Sequence, residues 1–384
     1  MKTELSLLEK TLTLHRFPHR ANETLQAWDA GDEYLIQHIE EMALPTGSHI
    51  VILNDNFGAL SCWFSDRYRI TMMSDSWIAH QATLSNLAAN GLSDHSIALF
   101  NTLHSIPNDA DIVLMQIPKS NRHLVWQLQQ LRQGISENVP IIAVNKVREI
   151  HTSTLNLFER YLGTTTTSLA WKKHRLVFST ANAHPILPVE AYKEWSVDEN
   201  LPTGANIHLK NYANVYSGER LDQGARFLLP HLPQNKRLQH IIDLGCGNGV
   251  LSVRLGQLNP DAQLTCVDES FMAIASAQQN LIDNLGSEHS VRCIANNCLD
   301  GFEPESASLI VCNPPFHQQL AVTDHIAWQM FCDAKRTLTK GGELLVIGNR
   351  HLGYDSKLAR LFGSHGVKTV AVNKKFVILQ ATKS

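Results

Sequence analysis

Hydrophobic residues along the chain follow two alternating rhythms: short continuous runs, and longer stretches with apolar positions three and four apart. In the second half, "LQHIIDLGCGNG" is an apolar run ending in a glycine-rich turn, and "VLSVRLGQLNP" follows with helical spacing stopped at Asn259-Pro260. "AQLTCVDES" reads as a strand ending in acid, and "FMAIASAQQNLIDNLG" as an amphipathic helix closed by Gly286. Runs at "SVRCIANN" and "ASLIVCNPPF", a helix through "IAWQMFCDAKRTL", a turn at "TKGG" and a strand at "ELLVIGNR" keep the alternation going. This rhythm predicts a mostly parallel sheet covered on both faces, and the closing "TVAVNKKFVILQAT" predicts an antiparallel hairpin at its edge.

The first half carries the same order of parts. "HIVILNDNFGALS" falls under "HIIDLGCGNGVLS", "MMSDSWIAHQATLSNLAANGL" under "CVDESFMAIASAQQNLIDNLG", and "DIVLMQIPKS" under "SLIVCNPPFH". "TSLAWKKHRLVFST" corresponds to "KTVAVNKKFVILQAT", and "AWDAGDEYLIQHI" to "RLDQGARFLLPHL". The expectation is an α/β chain of two tandem Rossmann-like domains with seven-stranded mixed sheets, over residues 1–180 and 196–384. The Pro-containing, aperiodic stretch 181–195 is expected as a linker. The copies differ where chemistry would sit. Asp243, Gly245 and Gly247 lie over Ile52, Asn54 and Asn56, and Asn313-Pro314-Pro315-Phe316 is placed over Met115-Gln116-Ile117-Pro118, so the first copy reads as degenerate.

Composition bounds the class. A chain of 384 residues with 43% apolar and 18% charged content suits two globular domains. It has no apolar run of the roughly 18 residues that cross a bilayer, and charges intersperse its N-terminus, so a cytoplasmic protein without a membrane partner is expected. Seven cysteines without a CxxC pair read as reduced core thiols, and 19 histidines without an HExxH pattern give no metal signature. The net charge of −3 leaves a local basic face free to bind nucleic acid.

The loop "DLGCGNG", from Asp243 through Gly245, Cys246, Gly247, Asn248 and Gly249, lacks the Lys-Ser/Thr of a phosphate-binding P-loop. Its GxGxG spacing also departs from the dinucleotide GxGxxG. Glycines at such a turn can serve packing alone, but two carboxylates supply context. Asp243 precedes the loop, where it can accept from an ammonium group. Asp268 ends the next strand, where it can accept ribose hydroxyls or cap the following helix. A ligand with a ribose and an ammonium but no pyrophosphate is S-adenosylmethionine. Asn296 and Asn297 end the third strand within reach of an adenine edge.

The Asn313-Pro314-Pro315-Phe316 turn fits methylation of a planar amine. The Asn313 carboxamide oxygen and the Pro314 carbonyl can accept from the amino group, Pro315 rigidifies the turn, and Phe316 offers a face for a flipped base. His317 can add a phosphate or base contact.

"DLGCGNG", "VDES", "ANN" and "NPPF", in this order, resemble the class I S-adenosylmethionine-dependent methyltransferases acting on exocyclic or amide nitrogens. Over essentially the whole chain the sequence is similar to bacterial ribosomal RNA guanine-N2 methyltransferases that pair a degenerate N-terminal copy with an active C-terminal one. The resemblance implies N2-methylguanosine formation in 23S rRNA, on free RNA or in an early assembly particle, with Asp222 and Gly224 folding over the cofactor. Expected RNA contacts are Trp171, Lys172, Lys173 and Arg175, with Lys119, Lys146 and Arg148, and in the second copy Arg350, Lys374 and Lys375. Two domains already supply an extended surface, so a monomer is expected. The alternatives are a 16S rRNA guanine-N2, DNA adenine-N6 or protein glutamine methyltransferase, and a non-catalytic RNA-binding assembly factor.

Overall fold

The computed structural model describes residues 2–197, 206–315 and 320–384, without the side chains of 320–323. It divides into two compact units, Met1–Ala191 and Tyr192–Ser384. Each is built around one seven-stranded sheet.

In the first unit the strands are β1 (His49–Leu53), β2 (Arg69–Ser74), β3 (Ile97–Asn101), β4 (Ile112–Gln116), β5 (Pro140–Lys146), β6 (Thr165–Thr167) and β7 (His174–Thr180). Their spatial order is β3-β2-β1-β4-β5-β7-β6, parallel except for β7, which runs antiparallel to both neighbours. The flanking helices are α1 (Ala30–Met42), α2 (Ala59–Phe64), α3 (Trp77–Ala89), α4 (Asn121–Gly134) and α5 (Thr152–Tyr161).

The second unit repeats the plan with β8 (His240–Leu244), β9 (Gln263–Asp268), β10 (Val291–Ala295), β11 (Ala307–Cys312), β12 (Leu338–Asn349), β13 (Val367–Val372) and β14 (Phe376–Thr382). Its order is β10-β9-β8-β11-β12-β14-β13, again with the last hairpin antiparallel. The helices are α6 (Gln223–Leu228), α7 (Val250–Leu258), α8 (Phe271–Leu285), α9 (Leu320–Thr337) and α10 (Tyr354–Phe362). Among the described residues no helix is long and apolar enough to cross a membrane.

The period-two direction of side chains along a strand splits each core in two. Ile50 and Ile52 of β1 pack with α1 and α2, while Val51 and Leu53 pack with α4 and α5. In β8, Ile241 joins the α6–α7–α8 side and Ile242 and Leu244 the α9–α10 side. Asp243 therefore points into the α7 face, at the position that Ile52 fills completely in the first unit. A buried isoleucine contributes about 1.5–3 kcal/mol there; a carboxylate forgoes that and adds a desolvation cost.

Three expectations are corrected. The expected linker 181–195 ends at Tyr192, because Lys193–Ser196 is a strand paired antiparallel with His208–Asn211. The turn expected at Thr339 to Gly342 lies inside β12: Ala307 pairs with Leu338 and Leu309 with Glu343, so the extra residues form a bulge, with Gly341 at φ +75°. The placement of Asn313 over Met115 is one residue off, and the correspondence of "DIVLMQIPKS" with "SLIVCNPPFH" has the right register. Leu244 is opposite Cys312 and its twin Leu53 is opposite Met115, so Gln116, not Met115, stands at the position of Asn313.

Candidate active site

The site lies at the carboxyl ends of β8, β9 and β11, where an open α/β sheet leaves its crevice. Three glycines set the loop after β8, with φ of +79° at Gly245, +53° at Gly247 and +80° at Gly249. They serve different purposes. A Cβ on Gly249 would lie 3.0 Å from the Ala277 Cα, so this glycine lets α7 and α8 approach. A Cβ on Gly247 would meet nothing within 4 Å, so its backbone faces open space, as a loop cradling a ligand requires. The Gly245 and Cys246 N–H groups both donate to the Val267 carbonyl, at 2.8 and 3.0 Å.

Asp243 is 2% exposed. Its Oδ2 accepts from the Ser252 hydroxyl at 2.6 Å, whereas its Oδ1 is buried with no hydrogen-bond partner. Burial pushes its carboxyl up to about 6, against the lowering effect of Ser252. Asp268 accepts from the Gly247 N–H at 2.9 Å and the Ser270 N–H at 3.0 Å, and burial raises it too. The cap of α8 is Ser270, whose hydroxyl accepts from the Ala273 N–H, so Asp268 is the loop's clasp and not its helix cap.

The remaining loop residues also bond within the protein. Asn248 donates to the Asn211 Oδ1 at 2.9 Å and accepts from the Val250 N–H. The buried Cys246 thiol turns to the Gly247 carbonyl. Asn296 donates to the Cys298 and Asp300 carbonyls and Asn297 to the Asp300 carboxylate, so both amide nitrogens are committed to the turn after β10.

Asn313 and Pro314 follow β11 directly, one strand across from Asp243. A Cβ on Gly245 would come 4.0 Å from the Asn313 carbonyl, so the glycine loop and the Asn-Pro-Pro turn share one wall. The Asn313 Nδ2 donates to the Asp222 Oδ2 at 3.4 Å, and its Oδ1 is buried without a partner. Pro314 is buried and Pro315 exposed. Phe316 and His317 lie outside the described residues. Asp222 caps α6, accepting from the Ala225 N–H at 2.9 Å, with Gly224 buried in the first turn.

Lys374 and Lys375 form the exposed turn between β13 and β14. The Arg350 N–H donates to the Lys375 carbonyl, and the Lys375 ammonium reaches the Gln223 Oε1 at 2.8 Å, so Lys375 borders the start of α6. In the first unit Trp171 lies 5.4 Å from the Tyr34 ring, and Lys172 covers the Trp171 ring while pairing with Glu33 at 2.7 Å. Lys173 is exposed and Arg175 half-buried.

Sequence reasoning missed four contributors. Ser252 holds Asp243. Asn280, fully buried, bonds the Lys210 backbone on both sides and the Asn248 carbonyl, lacing the strand His208–Asn211 to the loop. The signal was available in the polar stripe Ser276, Asn280, Asn284 along α8, and in Asn86 and Asn90, which lace Thr13, His15 and Phe57 in the first unit. Tyr216 donates to the Asp222 Oδ1 at 3.2 Å. Asn349, ending β12, carries another buried, unpartnered Oδ1.

The first unit closes the equivalent space. Asn54, at φ +65°, takes the place of Gly245, donates to the Gln116 carbonyl at 2.8 Å and exchanges two bonds with Gln127. Ser61, the twin of Ser252, gives its hydroxyl and its N–H to Asp55 in the loop, because the strand position holds Ile52.

Comparison with known proteins agrees with this architecture. The profile of the RLMG N-terminal domain matches residues 2–183, and that of the methyltransferase small domain matches residues 206–380. The T. thermophilus 16S rRNA N2 methyltransferase RsmC, solved with AdoMet and guanosine, shares the fold at a TM-score of 0.80 and 19% identity, covering 100% of this chain and 98% of that one. Ribosomal RNA large subunit methyltransferase G from Vibrio cholerae is 67% identical over 384 residues, covering 100% of both chains. The same enzyme from Vibrio campbellii is 65% identical, covering 100% of this chain and 98% of the relative. With such identity along its whole length, the chain belongs to the ribosomal RNA large subunit methyltransferase G family.

Proposed function

We propose that the second unit transfers a methyl group from S-adenosylmethionine to the exocyclic N2 amine of a guanosine in 23S rRNA, and that the first unit contributes to RNA recognition. The observation that carries the reading is the pair of buried acceptor oxygens without partners, Asp243 Oδ1 and Asn313 Oδ1, on either side of the open glycine loop. Buried acceptors are rarely left unpaired, because each forgoes about 1–3 kcal/mol of hydration. Both await a donor. The large-subunit specificity follows the relatives at 62–67% identity.

The donor set fits S-adenosylmethionine: Asp243 Oδ1 is free to accept from an ammonium, Asp268 stands at the ribose position, and the open Gly247 backbone accommodates the ligand's body. When bound, the cofactor supplies a methyl group on a sulfonium. The chain's part is orientation. A guanine amine delocalises its lone pair into the ring, so accepting its hydrogens on Asn313 Oδ1 and the Pro314 carbonyl draws the nitrogen toward tetrahedral geometry and frees the pair. The amine becomes strongly acidic as it gains the methyl, and its proton leaves to water, so no base is needed. Phe316 is assigned the stacking face for the base, and Lys375, bordering α6, with Lys374 beside it and Arg350 bonded to it through the backbone, approaches the RNA backbone.

Nucleoside analysis of 23S rRNA incubated with the protein and labelled cofactor tests the reading. Wild type should yield labelled N2-methylguanosine, and Asn313→Ala should lose at least about a hundredfold in rate with RNA binding intact. Label in 16S rRNA, DNA or protein but not in 23S rRNA would refute it.

A further inference from the structure

We propose that Asp222 is a positioning residue: its carboxylate fixes which end of the Asn313 side chain faces the substrate. This rests on the reading of Asn313 as the acceptor for the target amine. A carboxamide has an oxygen and an NH2 at nearly equal reach, and a half-turn about the last side-chain bond exchanges them. Presenting NH2 to an amine would oppose donor to donor. Asp222 removes the ambiguity, because an ionised carboxylate has no hydrogen to give and accepts only. Its Oδ2, 3.4 Å from Asn313, admits the Nδ2 alone and thereby turns Oδ1 into the pocket, where it is buried without a partner.

Asp222 is itself held on both oxygens. Oδ2 also takes the Ala225 N–H at 2.9 Å as the cap of α6, and Oδ1 takes the Tyr216 hydroxyl at 3.2 Å. The first unit has a comparable pair built from a different helix position, since Asp29 is the twin of Asp222 and Asp32 that of Ala225. There Gln116, at the position of Asn313, donates its amide to the Asp32 Oδ1 at 2.5 Å, in the first turn of the equivalent helix, while Asp29 caps that helix. In each copy an aspartate oxygen at the start of the helix accepts from the carboxamide at the end of the central strand. The role differs from cofactor contact, the one expected for Asp222 from resemblance.

The test uses the full-length protein with three variants, Asp222→Asn, Asn313→Asp and both together. Asparagine caps a helix as well as aspartate does, so Asp222→Asn should fold normally. It can face Asn313 with either end, however, and loses the enforced orientation. The expected result is a fall in kcat of about tenfold or more, with the calorimetric affinity for S-adenosylmethionine within about twofold of wild type. Asn313→Asp sets two carboxylates side by side. Adding Asp222→Asn restores one donor facing one acceptor and should recover at least about tenfold of the loss, a coupling that two independent roles would not give. A substrate-free readout comes from the Asn313 side-chain amide protons in nitrogen-15 spectra: a shifted, sharp pair in wild type, and a moved or exchange-broadened pair in Asp222→Asn. An unmoved amide pair, a double variant no better than Asn313→Asp, or weakened cofactor binding with kcat intact would overturn the proposal. Wild-type protein that binds cofactor yet leaves 23S rRNA unmethylated would instead overturn the substrate reading, and the amide spectra would still decide the role of Asp222.

Discussion

Acidification should weaken cofactor binding through one side chain, Asp243. An ammonium needs the ionised form of Asp243, which burial holds back until about pH 6. With that value, about ten-elevenths of the carboxyl is ionised at pH 7 and about one-eleventh at pH 5, so affinity for S-adenosylmethionine should fall about tenfold, or ~1.4 kcal/mol, over the interval. The ligand's own amino group titrates above this window, near 7.7–8.0, and stays charged throughout. Calorimetric titrations at pH 5.0, 6.0 and 7.0, in buffers of different protonation enthalpy, should show the loss together with proton release on binding at pH 5. Stability carries the opposite sign. Ionisation is easier in the unfolded chain, so the penalty is absent below about pH 4, accumulates to about pH 6 and is full above it, at up to about 3 kcal/mol. Asp243→Asn should therefore bind the cofactor poorly, lose the pH dependence and melt higher than wild type at pH 7.5, with the two converging below about pH 4. An affinity flat from pH 5 to 7, or one whose slope survives in Asp243→Asn, would refute the assignment.

Three further outcomes follow from the geometry. Gly249→Ala should lower the melting temperature and cofactor affinity together, since it meets the Ala277 Cα at 3.0 Å with φ at +80°; strain in that region costs about 1–3 kcal/mol before the clash is counted. Gly245→Asn should do the reverse in kind: Asn54 occupies the same conformation in the first unit at φ +65°, so the fold should hold within a few degrees of melting temperature while calorimetry shows the cofactor excluded. Lys173→Ala should weaken rRNA binding at low salt and reduce the salt slope by about 0.7, whereas Lys172→Ala, already paired with Glu33, should change it less; filter binding across a salt series separates them.

Period and punctuation made the architecture legible. The apolar runs, the glycine stops and the repeated order located both sheets and the carboxyl-end loops, because these features follow from backbone geometry that any such sheet must satisfy. Register was harder. "IVLMQ" and "LIVC" are apolar almost throughout and buried on both faces, so alternation does not index them; the correspondence of "DIVLMQIPKS" with "SLIVCNPPFH" sets Gln116 under Asn313, and the pairing of Leu53 with Met115 fixes that register. Lys193–Ser196 escaped detection because a half-exposed hairpin strand with two charges has little hydrophobic signature. Asp222 was legible as an acid before a helix, but its hold on Asn313 joins residues 91 positions apart, a relation no local pattern encodes.

The contrast between the units bears on why the chain keeps both. Among the described residues, every buried side-chain atom without a partner in the first unit is a nitrogen, while the second unit leaves oxygens of Asp243, Asn313, Thr337 and Asn349 unpaired, three of them at or next to the carboxyl ends of strands. Such oxygens lower the stability of the free protein and are useful where a ligand supplies the missing donors. The first unit replaced them with cohesion: Ile52 completes the core, Asn54 and Gln127 seal the loop, and Asp55 collects the Ser61 N–H and hydroxyl. It nevertheless keeps the glycine at φ +80° before α2 and the asparagine lacing, and has an aspartate-to-carboxamide bond of its own. The shared features follow from one backbone plan, and the differences lie where the second unit has acceptors and the first has apolar or mutually bonded side chains. A unit freed of unpaired acceptors can meet RNA through its surface without admitting a ligand to its interior, which is the division of labour proposed for the two copies.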